Sequence, residues 1–265
     1  MKLTEAQVAQ YNEQGYLFFP GLLADVDVAA LQEAMPAILE RQGPEVIREK
    51  DGVSARLVFG AHEYSEPFRR LSLLPRVLNP VRQLLEDEVY LHQSRMNPKE
   101  GFDEGAGGGD SWAWHQDYPP WHTIDGMPTP RCIMVAVFVD ACTAVNSPLL
   151  VLPRSHEHGF IDSVQAHKDA DGYALHHLDR ATVERLAAKN GVEALVGPAG
   201  SVGFIDCLVL HGSANNVSPW RRAIMYLIYN AVSNACTGTT RPWFQNNRDF
   251  SPLQPIRDDS LGGSE

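Results

Sequence analysis

Long apolar runs, cysteine pairs and basic clusters are what this sequence has least of. Its longest apolar run, Ile133 to Val139, is far too short to span a bilayer as a helix. The first residues, Met1-Lys2-Leu3-Thr4-Glu5, lack the apolar stretch of a signal peptide. Cys132, Cys142, Cys207 and Cys236 are the only cysteines in 265 residues, and none shows C-x-x-C spacing. That argues against a disulfide framework and a zinc-thiolate site, and for a reducing compartment. Lys and Arg number 22 against 33 Asp and Glu, a formal net charge of -11. A field of that sign repels phosphate backbones and anionic membrane surfaces. The expectation is a cytoplasmic protein with a small-molecule substrate and neither nucleic acid nor membrane as partner. No interface pattern stands out, so the oligomeric state stays open.

What is present reads as a single globular domain over 1–265. The apolar fraction of 44% suffices for a sizeable core, and nothing resembles a linker. Thr4 to Gln14 has helical character, with Thr4 and Gln7 in a capping-box pattern. Gly15 to Pro20 reads as a short strand, Asp25 to about Arg41 as an amphipathic helix, and Asn79 to Glu86 as a helix with Pro80 in its first turn. Beyond residue 88 the texture changes to strands: Val89 to Asn97, Arg131 to Asp140, Pro148 to Leu152, Ser201 to Ile205 and Ala223 to Val232. The chain thus divides into a helical support over about 1–87, a barrel core over about 88–235 and a tail over 236–265. Strands at this density point to a barrel or sandwich. Gly101 to Asp110 and Asp162 to His177 read as surface loops, and no internal repeat is visible.

The chemistry concentrates in two places, Trp114-His115-Gln116-Asp117 and, far downstream, His211-Gly212-Ser213 followed by Arg222. Two imidazoles and one carboxylate make the ligand set of a non-haem Fe(II) site with open positions. In an extended strand His115 and Asp117 would share a face, because side chains alternate with period two. His211 ends a run, Ser201 to Leu210, that reads as another strand. His-x-Asp alone is common, and the chain has 10 histidines, so His156-Glu157-His158 and His176-His177 are weighed as chance pairs. Three free positions on an octahedral iron suit a bidentate 2-oxo acid plus O2, although a zinc or manganese hydrolase uses similar ligands. Arg222 favours the first: a guanidinium is a two-pronged clamp for the acid's distal carboxylate. By spacing alone it competes with a surface role beside Arg221. Ser213 could add a hydroxyl to the same carboxylate.

Four motifs carry a family resemblance: Trp112-x-Trp114-His115-x-Asp117, then Trp121-His122-x-x-Asp125-Gly126-Met127-Pro128-x-x-Arg131, then Pro148-Leu149-x-x-Leu152-Pro153-x-Ser155-His156, and His211-Gly212-Ser213-x-x-Asn216-x-Ser218-Pro219-Trp220-x-Arg222. Together they resemble the phytanoyl-CoA dioxygenase family, nearest its branch of ectoine hydroxylase and free-leucine hydroxylases, from about Leu3 to Ala235. The resemblance implies a mainly β fold, a double-stranded β-helix (jelly-roll, cupin-like) barrel with flanking N-terminal helices. It also implies an Fe(II)- and 2-oxoglutarate-dependent oxygenase. By it His115, Asp117 and His211 match iron ligands, and Arg222 and Ser213 match the 2-oxoglutarate carboxylate site. Asn97 matches a cosubstrate-side position, with Lys99 on the same strand; Gln93 and Trp121 match substrate-side positions, with Arg95 between them. For Arg95 and Lys99 a structural cation remains the alternative to a ligand contact.

Departures limit the carry-over. Where ectoine hydroxylase has Phe-Glu-Thr-Trp this chain has Tyr118-Pro119-Pro120-Trp121, and it has extra residues over Asp103 to Gly109, so the resemblance stops short of ectoine as substrate. Related halogenases replace the carboxylate at the Asp117 position with a small residue, so its presence points away from halogenation. The expected reaction is hydroxylation of an unactivated C–H bond in a small amino-acid-like metabolite, with succinate and CO2 as coproducts. Hydroxylation, desaturation or cyclisation of a terpenoid or other natural product, and a non-catalytic barrel that binds a small molecule, are the alternatives.

Overall fold

Antiparallel pairing organises the computed structural model, which describes residues 1–102, 108–162, 164–168, 174–259 and 261, with the backbone alone over 164–168 and 174–176. In chain order the described strands are β1 (Tyr16–Phe19), β2 (Val46–Arg48), β3 (Ala55–Phe59), β4 (Val89–Lys99), β5 (Trp112–His115), β6 (Cys132–Phe138), β7 (Leu149–Val151), β8 (Val164–Lys168), β9 (Ala174–His177), β10 (Glu193–Leu195), β11 (Val202–Asp206), β12 (His211–Ser213) and β13 (Arg222–Ala231). Seven of them form a large sheet in the order β1-β11-β6-β13-β4-β3-β2, and four a small sheet in the order β10-β7-β12-β5. The fold is mainly β.

The large sheet is buried on both faces, which explains why β6 and β13 read as continuous apolar runs rather than alternating ones. Met134, Ala136 and Phe138 of β6 and Ile224, Tyr226 and Ile228 of β13 turn inward, where they pack with Leu149, Val151 and Leu195 of the small sheet. Their neighbours Ile133, Val135, Val137, Met225 and Leu227 turn outward against Leu31 and Met35 of the helix Asp25–Leu39, Phe68 and Leu71 of Glu66–Leu73, and Val77 and Val81 of Pro75–Leu85. Each such side chain taken out of water contributes about 1.5–3 kcal/mol.

A register shift opposite Ile228 and Tyr229 re-aims β4. Leu91 and Met96 stay on the helix side, whereas Gln93, Arg95 and Asn97 line a cleft between the two sheets.

Several expectations shift. The helix expected from Asn79 starts at Pro75, so Pro80 lies inside it rather than in its first turn. The segment expected as a loop over 162–177 contains the antiparallel pair β8–β9. Residues 103–107 of the expected acidic loop, and 163 and 169–173 of the second, lie outside the described residues. Among the described residues no helix is long and apolar enough to cross a membrane, and all four cysteines are free and buried.

Candidate active site

Strand pairing brings the two histidines together. His211 of β12 is the direct cross-strand partner of His115 in β5, and their ring centroids stand 4.2 Å apart. Asp117 arrives differently from the expected strand alternation. β5 ends at His115, and Asp117, with φ -80° and ψ -29°, caps the helix Tyr118–Thr123. Pro119 and Pro120 pre-set helical φ in that first turn, so the chain leaves the strand early and the carboxylate swings in from a helix start. Asp117 Oδ1 lies 3.7 Å from His115 Nε2 and Oδ2 lies 3.7 Å from His211 Nε2. One ligand atom from each residue falls within 4.8 Å of the others.

The tautomers follow from the neighbours. His115 Nδ1 meets the Ala113 carbonyl at 2.6 Å and His211 Nδ1 meets the Val209 carbonyl at 3.0 Å. A carbonyl only accepts, so each Nδ1 donates and each Nε2 keeps its lone pair for a metal. Burial, then the neighbouring His211, pushes His115 down to about 3, and burial likewise lowers His211. For Asp117 burial acts upward, but Arg95 and then the two histidines outweigh it and hold the carboxyl below its ordinary value. Two neutral imidazoles and an ionised carboxylate fit Fe(II).

Arg222 is fully buried. Its Nε donates to the Ser147 carbonyl at 3.0 Å and its Nη1 to Asn97 Oδ1 at 3.1 Å, while Nη2 is buried without a partner among the described residues. An unmet charged donor fits a carboxylate such as the distal end of 2-oxoglutarate. Asn97 spends its other amide atom on the Arg56 carbonyl at 2.8 Å, so it braces Arg222. Lys99 lies behind the cleft wall, donating to the carbonyls of Asp110, at 2.6 Å, and Ala214. Burial, then Arg222 and Arg56, push its ammonium down to about 6. Arg95 is ion-paired with Asp117 and lies 5.5 Å from the Tyr226 ring centroid. Ser213 lines the cleft two residues beyond His211.

Comparison with known proteins settles the lineage. Residues 11–224 match the phytanoyl-CoA dioxygenase family. The chain belongs to that family. It is 35% identical over 269 residues to L-proline trans-4-hydroxylase of Streptomyces griseoviridis, covering 98% of each chain. It is 36% identical over 244 residues to an ectoine dioxygenase of Bordetella bronchiseptica, covering 88% of this chain and 77% of that one. The crystal structure of EctD from S. alaskensis with 2-oxoglutarate and 5-hydroxyectoine superposes with a TM-score of 0.84 at 31% identity, over 98% of this chain and 89% of the other. This protein is accordingly an iron- and 2-oxoglutarate-dependent dioxygenase.

The dioxygenase's cleft encloses about 730 Å³ up to and including its open mouth, a size suited to small ligands. Its walls join the His115–Asp117–His211 group to Gln93, Trp121, Leu57, Trp112, Tyr226 and Arg241. Gln93 and Trp121 both line the cleft. Sequence reasoning missed Arg241 and Ser147. Arg241 sits in a polar, aperiodic stretch assigned to the tail, and Ser147 lies in an irregular segment and acts through its backbone carbonyl, which no side-chain pattern marks. Asp125 was visible within a motif but had no role; it receives Arg241 Nε at 2.7 Å.

Proposed function

We propose that this dioxygenase, with 1–265 acting as one catalytic domain, hydroxylates an unactivated C–H bond of a small zwitterionic metabolite, a free or cyclic amino acid. One observation carries the reading: a single cleft joins the ligand triad to a guanidinium, Arg241, an amide, Gln93, and an indole, Trp121. An amino acid offers a carboxylate to the first, polar atoms to the second and an apolar body to the third. The names of the relatives, a proline hydroxylase and ectoine dioxygenases, support the same class.

In this reading the two sheets are the walls of a double-stranded β-helix. His115, Asp117 and His211 hold the iron. Arg222 and Ser213 hold the distal carboxylate of 2-oxoglutarate, Asn97 fixes Arg222, and Lys99 ties together the segments at Asp110 and Ala214. Gln93, Trp121, Arg241 and Arg95 face the substrate. When bound, iron and 2-oxoglutarate supply oxidation of a C–H bond by O2, with 2-oxoglutarate leaving as succinate and CO2. The chain's own residues orient the target carbon, and the apolar walls exclude water. The four free cysteines suit a reducing cytoplasm.

A succinate-release screen over L-proline, other free and cyclic amino acids and short betaines tests the reading. The expected result is at least one amino acid that stimulates succinate release and gains one oxygen by mass spectrometry. Stimulation by terpenoids alone, with every amino acid silent, sinks it.

A further inference from the structure

We propose that Asp125 is a positioning residue for the substrate side of the cleft, a buried carboxylate that fixes Arg241 directly and Trp121 by way of His92. The proposal rests on the amino-acid reading above for the meaning of Arg241, but its geometry stands apart from it.

Asp125 is fully buried and lies outside the His115–Asp117–His211 group. Its carboxylate takes Arg241 as a fork, with Nε on Oδ1 at 2.7 Å and Nη2 on Oδ2. The same Oδ2 lies 3.3 Å from His92 Nε2, a close approach that lacks hydrogen-bond geometry. His92, fully buried, meets the Trp121 ring edge-on at 5.5 Å between centroids and 79° between planes. Both ends of this chain, Arg241 and Trp121, are walls of the cleft. One carboxylate therefore sets the direction of Arg241 and abuts the ring that packs on Trp121.

The backbone repeats the link. Gly238 N donates to the Asp125 carbonyl at 2.7 Å, and a Cβ at Gly238 would fall 2.4 Å from the Ile124 oxygen and 2.8 Å from the Asp125 carbonyl carbon. Only glycine lets the strand of chain leading to Arg241 lie this close. Burial raises the Asp125 carboxyl, but His92 and Arg241 outweigh it and hold it below its ordinary value, while burial lowers His92. The cluster is thus a charged pair beside a neutral ring. A buried ion pair adds little net stability over an apolar replacement, whereas a bidentate fork fixes a guanidinium plane closely. Orientation is what this arrangement supplies.

The test compares Asp125→Asn, Arg241→Gln and the double variant in the iron-loaded enzyme, with L-proline as the probe amino acid. Asp125→Asn is expected to raise the L-proline KM about tenfold or more, with the 2-oxoglutarate KM changed less than about twofold. In the Arg241→Gln background the same substitution is expected to add little, since residues acting as one unit are non-additive. A second readout needs no substrate: the Arg241 Nε–H resonance, assigned by its loss in Arg241→Gln, should lose its protection from exchange in Asp125→Asn. Equal rises in both KM values, full additivity in the double variant, or an unchanged resonance overturns the proposal. If Asp125→Asn does not fold, the double variant, which buries no unpaired charge, is compared with Arg241→Gln; a further large rise in the L-proline KM overturns it. A wild type that turns over no amino acid while the resonance behaves as expected defeats the substrate reading and supports the positioning role.

Discussion

One arm of the Arg222 guanidinium has no partner among the described residues, although the other two are held by Ser147 and Asn97. Leaving a charged donor buried and unmet costs about 1–3 kcal/mol or more, so an anion at that arm removes a penalty already built into the fold. Arg222→Ala is expected to raise the apparent 2-oxoglutarate KM by about tenfold or more, since charge-assisted forks are among the stronger polar contacts. Arg222→Lys should fall between, because it keeps the charge but loses the fork. Iron binding, followed by metal titration, should persist in both. An unaltered requirement would overturn the assignment, and Arg221 could not inherit it without leaving Asp140, which it holds at 2.8 Å. The triad gives the complementary case. Asp117→Ala removes a ligand and also takes an ion-pair partner from Arg95; substrate-dependent succinate release should vanish, and turnover at the wild-type rate would sink the iron site. At the residue scale the ligand types were legible because imidazole and carboxylate chemistry is specific. Arg241 was not, because a lone arginine in an aperiodic stretch looks the same whether it faces water or a cleft.

Elements were legible where a local rule decides them. Thr4 and Gln7 form the capping box that their spacing predicts, with Thr4 Oγ1 accepting from Gln7 N at 3.2 Å and Gln7 Oε1 accepting from Thr4 N at 2.9 Å. Thr4→Ala is expected to lower stability by about 1 kcal/mol, read as a fall of about 2–4 °C in Tm for a chain of this size, with succinate release unchanged; an unchanged Tm would mean that the first turn is held by packing instead. Where tertiary contacts decide, the sequence was less informative. β6 and β13 were readable as strands, but their facing was not, since both faces are apolar. The end of β5 at His115 was missed because period-two alternation extrapolates through Gln116, whereas the prolines at 119 and 120 start a helix. β2 and β3 went unseen: each is short, and β3 is stabilised by pairing with β4 through Val58–Met96 and Phe59–Arg95, a contact between residues far apart in the chain.

At the scale of the whole molecule, the segment assigned to a tail behaves as the closing wall. Asn247 N donates to the His92 carbonyl at 3.1 Å, Leu253 N to the Val89 carbonyl at 2.9 Å and Ile256 N to the Leu73 carbonyl at 3.1 Å. Gln93 donates to the Gln245 carbonyl at 2.9 Å, Phe244 packs on Phe59 at 5.8 Å, and Leu261 N reaches Asp27 Oδ1 at 2.9 Å. These contacts run along the first half of β4 and onto the helices outside the large sheet, so they brace the strand that carries Gln93 and Arg95. Periodicity could not reveal this, because the segment pairs through single backbone atoms rather than through a regular strand or helix. Ending the chain at Cys236 removes all of them together with Arg241, and bares Phe59 and the buried amide of Gln93. The expected outcome is a Tm lowered by well over the few degrees of a single lost contact, or an insoluble product, with amino-acid-stimulated succinate release lost. The double variant Asp125→Asn/Arg241→Gln separates the two effects: it buries no unpaired charge, so it should keep a Tm far closer to wild type than the truncated chain does while raising the amino-acid KM. A truncated chain that melts with the wild type and retains stimulated turnover would show that the segment is only an appendage, and that the cleft is complete without it.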